Sequence, residues 1–222
     1  MIKVENLTKS YKINNEYKLI FKNINFTIND GESVALLGKN GVGKSTLLRL
    51  LSSVDLPDSG KVIRDSTISW PVGMMGGFQT NLTAKENVIF VSILFLGNNR
   101  HRIREKINFV RDFADIGDYF DKPFKTYSSG MRARVLFALS MAFDHDFYLL
   151  DEVSAAGDIG FKEKCRKILL EKHRNSGFIM VDHNLLGLDS LCDKAFILCD
   201  KKIIEYEDVN EAILKFKGML LK

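Results

Sequence analysis

Proline is scarce, at three residues in 222, and with 45% hydrophobic and 27% charged residues nothing in the composition suggests extended disorder. Cysteine is as scarce. Cys165, Cys192 and Cys199 form no CxxC pair, and their odd number suits free thiols in a reducing compartment better than a disulfide framework. Long hydrophobic runs are missing too: the most apolar stretch, residues 88–96, is about half of the roughly 20 residues a bilayer-spanning helix needs, so it reads as a buried helix. The opening Met1-Ile2-Lys3-Val4-Glu5-Asn6-Leu7 has neither the apolar segment nor the cleavage site of a secretory signal. Any membrane role is therefore expected to pass through a partner. Charge is nearly balanced, and a net +4 selects no partner and gives no ground for nucleic-acid binding. What remains is enough hydrophobic mass for one large domain, or a domain with a subdomain.

No internal repeat or low-complexity linker breaks the chain. Strands are expected over 2–6, 19–28 and 33–37, the last an apolar run that ends in glycine. A helix over 44–53 turns Leu47, Leu48, Leu50 and Leu51 to a core, and the turn cluster Leu56-Pro57-Asp58-Ser59-Gly60 ends it. Residues from about 79 to 142 are mostly helical, with helices over 85–96, 102–114 and 129–143. Strand–helix alternation then returns: 147–150 and 178–181 are short, fully apolar runs of the kind found in buried parallel strands. Segments 195–199 and 202–206 flank a two-residue hairpin, and one more helix precedes the end. The pattern is an α/β core interrupted by a helical insertion. His145, set between Asp144 and Asp146, is expected at the surface, and the basic stretch Arg100-His101-Arg102-Ile103-Arg104-Glu105-Lys106 is expected to be a solvated helix face, with a partner or anionic lipid as the lesser alternative.

Gly38-Lys39-Asn40-Gly41-Val42-Gly43-Lys44-Ser45-Thr46 matches a phosphate-binding loop and sits between an expected strand and an expected helix. Its glycines admit backbone angles barred to other residues, so consecutive N–H groups can point inward around a phosphate. The helix that follows adds unpaired N–H groups and the positive end of its dipole. Lys44 suits the β- and γ-phosphates of a nucleotide, and Ser45 suits a Mg²⁺ ligand. The bland alternative is a glycine-rich turn with a surface lysine. The loop by itself says that a nucleotide is bound and leaves the work undone.

Phe147-Tyr148-Leu149-Leu150-Asp151-Glu152 is an apolar strand ending in two acids, at the edge where ligands bind in open α/β sheets. Asp151 fits a water-mediated Mg²⁺ contact, and Glu152 fits the base that takes a proton from, or orients, an attacking water. Alone, the same residues describe a strand followed by a solvated acidic turn.

Further along, Tyr127-Ser128-Ser129-Gly130-Met131 resembles the signature motif of ABC ATPases, Gln79 stands where that family has its Q-loop glutamine, Ser154-Ala155-Ala156-Gly157-Asp158 resembles the D-loop, and His183 resembles the switch histidine. Tyr11 matches the aromatic residue that stacks on adenine, although a plain strand aromatic would look the same, just as Ser128 and Gly130 would also serve merely to cap a helix. The motifs occur in the family's order and cover nearly the whole chain, 1–222. The resemblance implies a RecA-like P-loop core of α/β class, an N-terminal antiparallel β-layer and a helical subdomain inserted at about 79–142. It also implies ATP with Mg²⁺, the metal being held by Ser45, Gln79 and Asp151. Two copies would pack head to tail, so that Ser128, Ser129 and Gly130 of one chain face the ATP on the other chain's loop, Asp158 being the D-loop residue. Two departures stand out: Ser129 and Met131 replace a glycine and a glutamine, and Val153 replaces a proline after Glu152.

Those departures, with Trp70-Pro71-Val72-Gly73-Met74-Met75-Gly76-Gly77-Phe78-Gln79, resemble exporters of polysaccharides and polyol phosphates, and the short tail resembles their capsular branch. Such a resemblance implies a homodimer on the cytoplasmic face of the inner membrane, bound to a separate integral membrane permease that forms the path and makes most contacts with the polysaccharide. Two rivals remain open. One is an exporter of O-antigen, teichoic acid, lipid or drug; the other is a soluble ABC ATPase acting on ribosomes or DNA, which usually carries two cassettes or a long coiled-coil insertion, and this sequence has neither.

Overall fold

The computed structural model describes residues 1–72, 78–151, 158–181 and 188–220. Two compact units make up the chain: Met1–Pro71 with His145–Glu152 and Lys172–Lys222, and Val72–Asp144 with Val153–Glu171.

The first unit holds two sheets. In the three-stranded one, β1 (Ile2–Ile13) lies between β2 (Glu16–Ile28) and β4 (Ser59–Arg64), antiparallel to both. Asn14 and Asn15, at φ 49° and 65°, make the two-residue turn from β1 to β2, since asparagine tolerates the left-handed region that a twisted hairpin requires. The expected turn over 56–60 is shorter than its composition suggested: Ser59 and Gly60 already belong to β4, because pairing with β1 supplies the hydrogen bonds that their propensities alone would not.

The second sheet runs β5-β6-β3-β7-β8, from β3 (Val34–Leu37), β5 (Phe147–Asp151), β6 (Gly177–Val181), β7 (Lys194–Cys199) and β8 (Lys202–Tyr206). All pairs are parallel except the β7–β8 hairpin, which Asp200 and Lys201 close at φ 47° and 64°. Helix α1 (Lys44–Leu51) follows β3, and its Leu47, Leu48, Leu50 and Leu51 join Phe21 and Ile28 of one sheet and Leu36, Phe147 and Phe196 of the other in a single core. Helix α6 (Val209–Leu220) closes the described chain.

Crowding at one point of this sheet is severe. A Cβ on Gly177, whose register partner is Phe147, would lie 2.3 Å from the Glu32 carbonyl oxygen and 2.7 Å from the Phe147 ring. Gly177→Ala is therefore expected to destabilise the protein by about 3 kcal/mol, lowering the thermal midpoint by roughly 6–12 °C. A midpoint within a degree of the wild type in a thermal melt would contradict this packing.

The second unit is helical: α2 (Ala84–Leu96), α3 (Arg100–Ala114), α4 (Ser129–Ala142) and most of α5 (Ile159–His173). Thr83 and Glu86 form a reciprocal capping box at the start of α2, and Asn99 caps α3. Phe113 of α3 meets Phe137 of α4 and Phe161 of α5, each at 5.7 Å between ring centres.

Two expectations about burial are corrected. The apolar segment 88–96 is not buried all round: within α2 the covered residues are Ala84, Asn87, Val88 and Ser92, a single stripe at helical spacing. Phe90, Ile93, Leu94 and Phe95 face outward, Leu94 with 69% of its surface exposed. His145, conversely, is only 6% exposed. Asp146 beside it accepts hydrogen bonds from the Thr67 N–H and hydroxyl at 2.7 and 2.8 Å, which pins the turn. The imidazole then packs edge-on against Trp70 and Tyr148, at 6.0 and 5.5 Å. Residues 100–106 behave as expected: Arg100, His101, Arg102 and Arg104 are exposed on α3. No helix among the described residues is long and apolar enough to cross a membrane.

Candidate functional site

Strands β3, β5 and β6 run parallel, so their C-terminal ends share one edge of the sheet. The glycine loop leaves that edge from β3, and Asp151 ends β5 on it. This placement follows from chain direction alone, and it is where open α/β sheets collect ligands.

Residues 38–43 connect β3 to α1. Gly43 sits at φ 120°, and a Cβ there would come within 2.6 Å of Ile20 and 3.0 Å of the Phe21 ring, so both the backbone angle and the space admit only glycine. Gly41, at φ 75°, has open space on its Cβ side, and Lys39, Asn40 and Gly41 are exposed while Val42 is half-buried. The N-terminus of α1 has no side-chain cap, which leaves its first N–H groups for an anion.

Lys44 points back into the loop. It is 9% exposed, and its ammonium donates to the Gly38 carbonyl at 2.7 Å and the Lys39 carbonyl at 3.3 Å. A cation held by carbonyls in the concave side of a glycine loop is poised to exchange them for a better acceptor, phosphate oxygens. Ser45 is exposed and Thr46 half-buried at the first turn of α1. Tyr11, on β1, is tied to the turn after α1, its hydroxyl donating to Asp55. Asp151 is half-buried, with Val181 as its β6 neighbour.

A metal site fits this chemistry in a particular way. Among the described residues no group of three or more His, Cys, Asp or Glu is placed to cage an ion. The Ser45 hydroxyl and the Asp151 carboxylate are hard oxygen donors suited to Mg²⁺, which characteristically takes few protein ligands and completes its shell with water and phosphate.

The remaining candidates lie in the second unit. Gln79 has its backbone held on both sides by one buried residue, Asn87, whose Oδ1 accepts from Gln79 N at 2.8 Å and whose Nδ2 donates to Gln79 O at 3.1 Å. The Gln79 side chain is left exposed. Asn87 carries no motif signal, though an asparagine on the inner stripe of α2, beside Ala84 and Val88, is the one hint available.

Ser128 is the N-cap of α4, its hydroxyl accepting from Met131 N at 3.2 Å. The capping role is therefore real, and it fixes the loop: Ser128 and Ser129 are exposed, Gly130 is half-buried, and Tyr127 is buried with its hydroxyl donating to the Lys122 carbonyl. Asp158 accepts from Phe161 N at 2.9 Å and is bridged at 2.6 Å by Arg134, which projects from α4. The Phe161 amide and the Arg134 guanidinium together hold the Asp158 carboxyl below the usual range. Arg134 went unnoticed in the sequence, where it is one more basic residue. Glu152, His183, the rest of the D-loop segment at 153–157 and the glycine-rich segment at 73–77 lie outside the described residues.

A family model for ABC transporters matches residues 21–155. The chain belongs to this family, as an ATP-hydrolysing subunit. The polysialic acid transport ATP-binding protein KpsT of Escherichia coli is 52% identical over 218 residues, spanning 98% of this chain and 96% of that one. The capsule polysaccharide export ATP-binding protein CtrD of Neisseria meningitidis serogroup B is 38% identical over 212 residues and 96% of each chain. Among solved structures, a dimeric post-hydrolysis state of the ATP-binding cassette MJ0796 bound to ADP and Pi superposes with a TM-score of 0.79 at 25% identity, covering 93% of this ABC subunit and 98% of that chain. Two of the ABC subunit's cysteines are kept as thiols: burial pushes Cys165 and Cys192 up to about 12.

Proposed function

We propose that this ABC subunit energises the export of capsular polysaccharide across the inner membrane. The observation that carries the reading is similarity along nearly the whole chain to ATP-binding proteins of polysialic acid transport and capsule polysaccharide export. The site is consistent with it. Lys44 and the amides of residues 38–46 bind the triphosphate, and Tyr11 stacks on the adenine. Ser45, Asp151 and Gln79 would hold Mg²⁺, which would supply positive charge against the phosphates. Glu152 accepts a proton from the attacking water, and His183 supports the γ-phosphate.

The fold is taken as one ATP-binding domain, 1–222, whose helical subdomain spans about 79–142. Two chains form a homodimer in which Ser128, Ser129 and Gly130 of one complete the nucleotide site of the other, as the dimeric state of the solved cassette supports. Asp158, tied to Arg134 on the same helix that begins at Ser129, links the signature turn to the D-loop. Closure then exists only while ATP bridges the dimer, and hydrolysis releases it, a population shift driven by differential binding. An integral membrane permease, which the subunit meets as a peripheral protein on the cytoplasmic face, converts closure into movement of the polymer. Gln79, with its backbone fixed by Asn87, passes the state of the γ-phosphate to the helical unit.

Deleting the gene and complementing with wild type or Glu152→Gln tests the cargo. Wild type is expected to restore surface polysaccharide, while Glu152→Gln leaves finished polymer in the cytoplasm. An unchanged surface polymer with loss of another envelope component overturns the cargo and leaves the ATPase standing.

A further inference from the structure

Tyr11 is held from two sides. Its hydroxyl donates to Asp55 Oδ2 on the turn that follows α1. Lys9, two residues earlier on β1, holds its ammonium 5.0 Å from the centre of the Tyr11 ring. That ammonium also donates to Asp55 Oδ1 at 3.1 Å and to the Leu56 carbonyl at 2.7 Å. Asp55 is anchored in turn, accepting from Leu56 N at 2.9 Å while its own N–H donates to the Arg49 carbonyl of α1 at 3.1 Å. The side chains of Lys9 and Asp55 are only 10% and 17% exposed, so the network is largely shielded from water.

Its charge states are settled. Burial opposes ionisation of Asp55, but the hydrogen bonds from Tyr11 and Lys9 outweigh it and hold the carboxyl below its usual range. Burial, and after it the Asp55 hydrogen bond, pushes the Tyr11 phenol up. Near neutral pH the phenol therefore stays a donor and the carboxylate an acceptor.

The geometry points to Asp55 as a positioning residue for nucleotide recognition, fixing the Tyr11 ring relative to the phosphate loop so that base and triphosphate meet one rigid frame. The inference rests on the reading of Tyr11 as the base-stacking residue. An aromatic side chain free to turn about two torsions loses that freedom when a base stacks on it; one already tied at its hydroxyl does not. The frame is continuous: the phosphate loop opens α1, the turn after α1 carries Asp55, and Asp55 grips Tyr11. Nothing in the sequence pairs residues 11 and 55, which are 44 positions apart.

The test compares binding of ATP and of inorganic tripolyphosphate, each with Mg²⁺, by titration calorimetry. The proteins are wild type, Tyr11→Phe, Asp55→Ala, the double variant and Tyr11→Ala. Tyr11→Phe keeps the ring and removes only the tie, so it stays informative even if Asp55→Ala disturbs the turn. Each of the first two single variants is expected to weaken ATP binding roughly five-fold, the scale of one net hydrogen bond, with tripolyphosphate affinity unchanged. The double variant is expected to be no weaker than the weaker single, because both changes break the same bond. Wild-type ATP affinity in Tyr11→Phe, or losses that add in the double variant, overturns the inference. Equal weakening of ATP and tripolyphosphate by Asp55→Ala overturns it as well, since Asp55 would then support the loop rather than the ring. Tyr11→Ala separates the two layers: unchanged ATP affinity there removes base stacking itself, whereas a loss in Tyr11→Ala without one in Tyr11→Phe removes only the tie to Asp55.

Discussion

Lys44→Ala is expected to lower Mg²⁺-ATP turnover on the order of 10²-fold or more, the scale of removing one preorganised charged donor from the reacting group. The lysine's ammonium is already inside the loop, bonded to the carbonyls of Gly38 and Lys39. No large rearrangement is needed to meet the β- and γ-phosphates, and no other lysine or arginine lies within residues 40–48 to replace it. Alanine removes the charge and leaves those two carbonyls to water, so a thermal melt without nucleotide belongs beside the assay. A melt near the wild type with turnover lost separates the phosphate role from support of the loop. Undiminished ATPase activity in a clean Lys44→Ala preparation overturns the phosphate-loop assignment.

For Glu152→Gln the expected result is retained ATP binding with turnover reduced by about 10²–10⁴-fold, the usual contribution of a positioned general base. An amide matches the carboxylate in shape and cannot take the proton. With hydrolysis blocked, ATP is expected to hold two chains together, so light scattering of this variant should show a dimer with Mg²⁺-ATP and a monomer without it. A variant that hydrolyses ATP at the wild-type rate removes Glu152 from the chemistry. One that stays monomeric at saturating ATP and high protein concentration counts against the shared site. The first outcome concerns the acid; the second tests the opposing signature turn once the assay has shown hydrolysis to be blocked.

How legible all this was depended on the range of the interactions involved. The apolar strands at β3, β5 and β6 and the loop and acid at their ends were readable because each is a local pattern: a few consecutive buried residues, then a polar motif. Strand β4 was not, since Ser59 and Gly60 favour turns and become strand only when β1 lies beside them. Residues 88–96 were misjudged for a related reason: hydropathy reports what a helix would prefer to touch, and Phe90 and Leu94 are exposed all the same. His145 was misplaced because Asp144 and Asp146 look like solvent markers, whereas Asp146 spends its charge on the Thr67 hydrogen bonds. In the site, the motif residues carry a sequence signal and the side chains that support them carry none. Asn87 behind Gln79, Arg134 beside Asp158 and Asp55 against Tyr11 are all ordinary polar residues whose significance appears only when distant segments meet.

The outward face of α2 has a consequence for the life of the protein outside any assembly. Phe90, Ile93 and Leu94 are neighbours on successive turns, and Phe95 lies beside them at the helix end. A patch of that kind left in water draws copies together and attracts chaperones and proteases. Surplus subunits are thus a burden rather than a reserve. Balanced synthesis is the cheapest remedy for such a patch, and overproduction of the subunit alone is expected to favour aggregation.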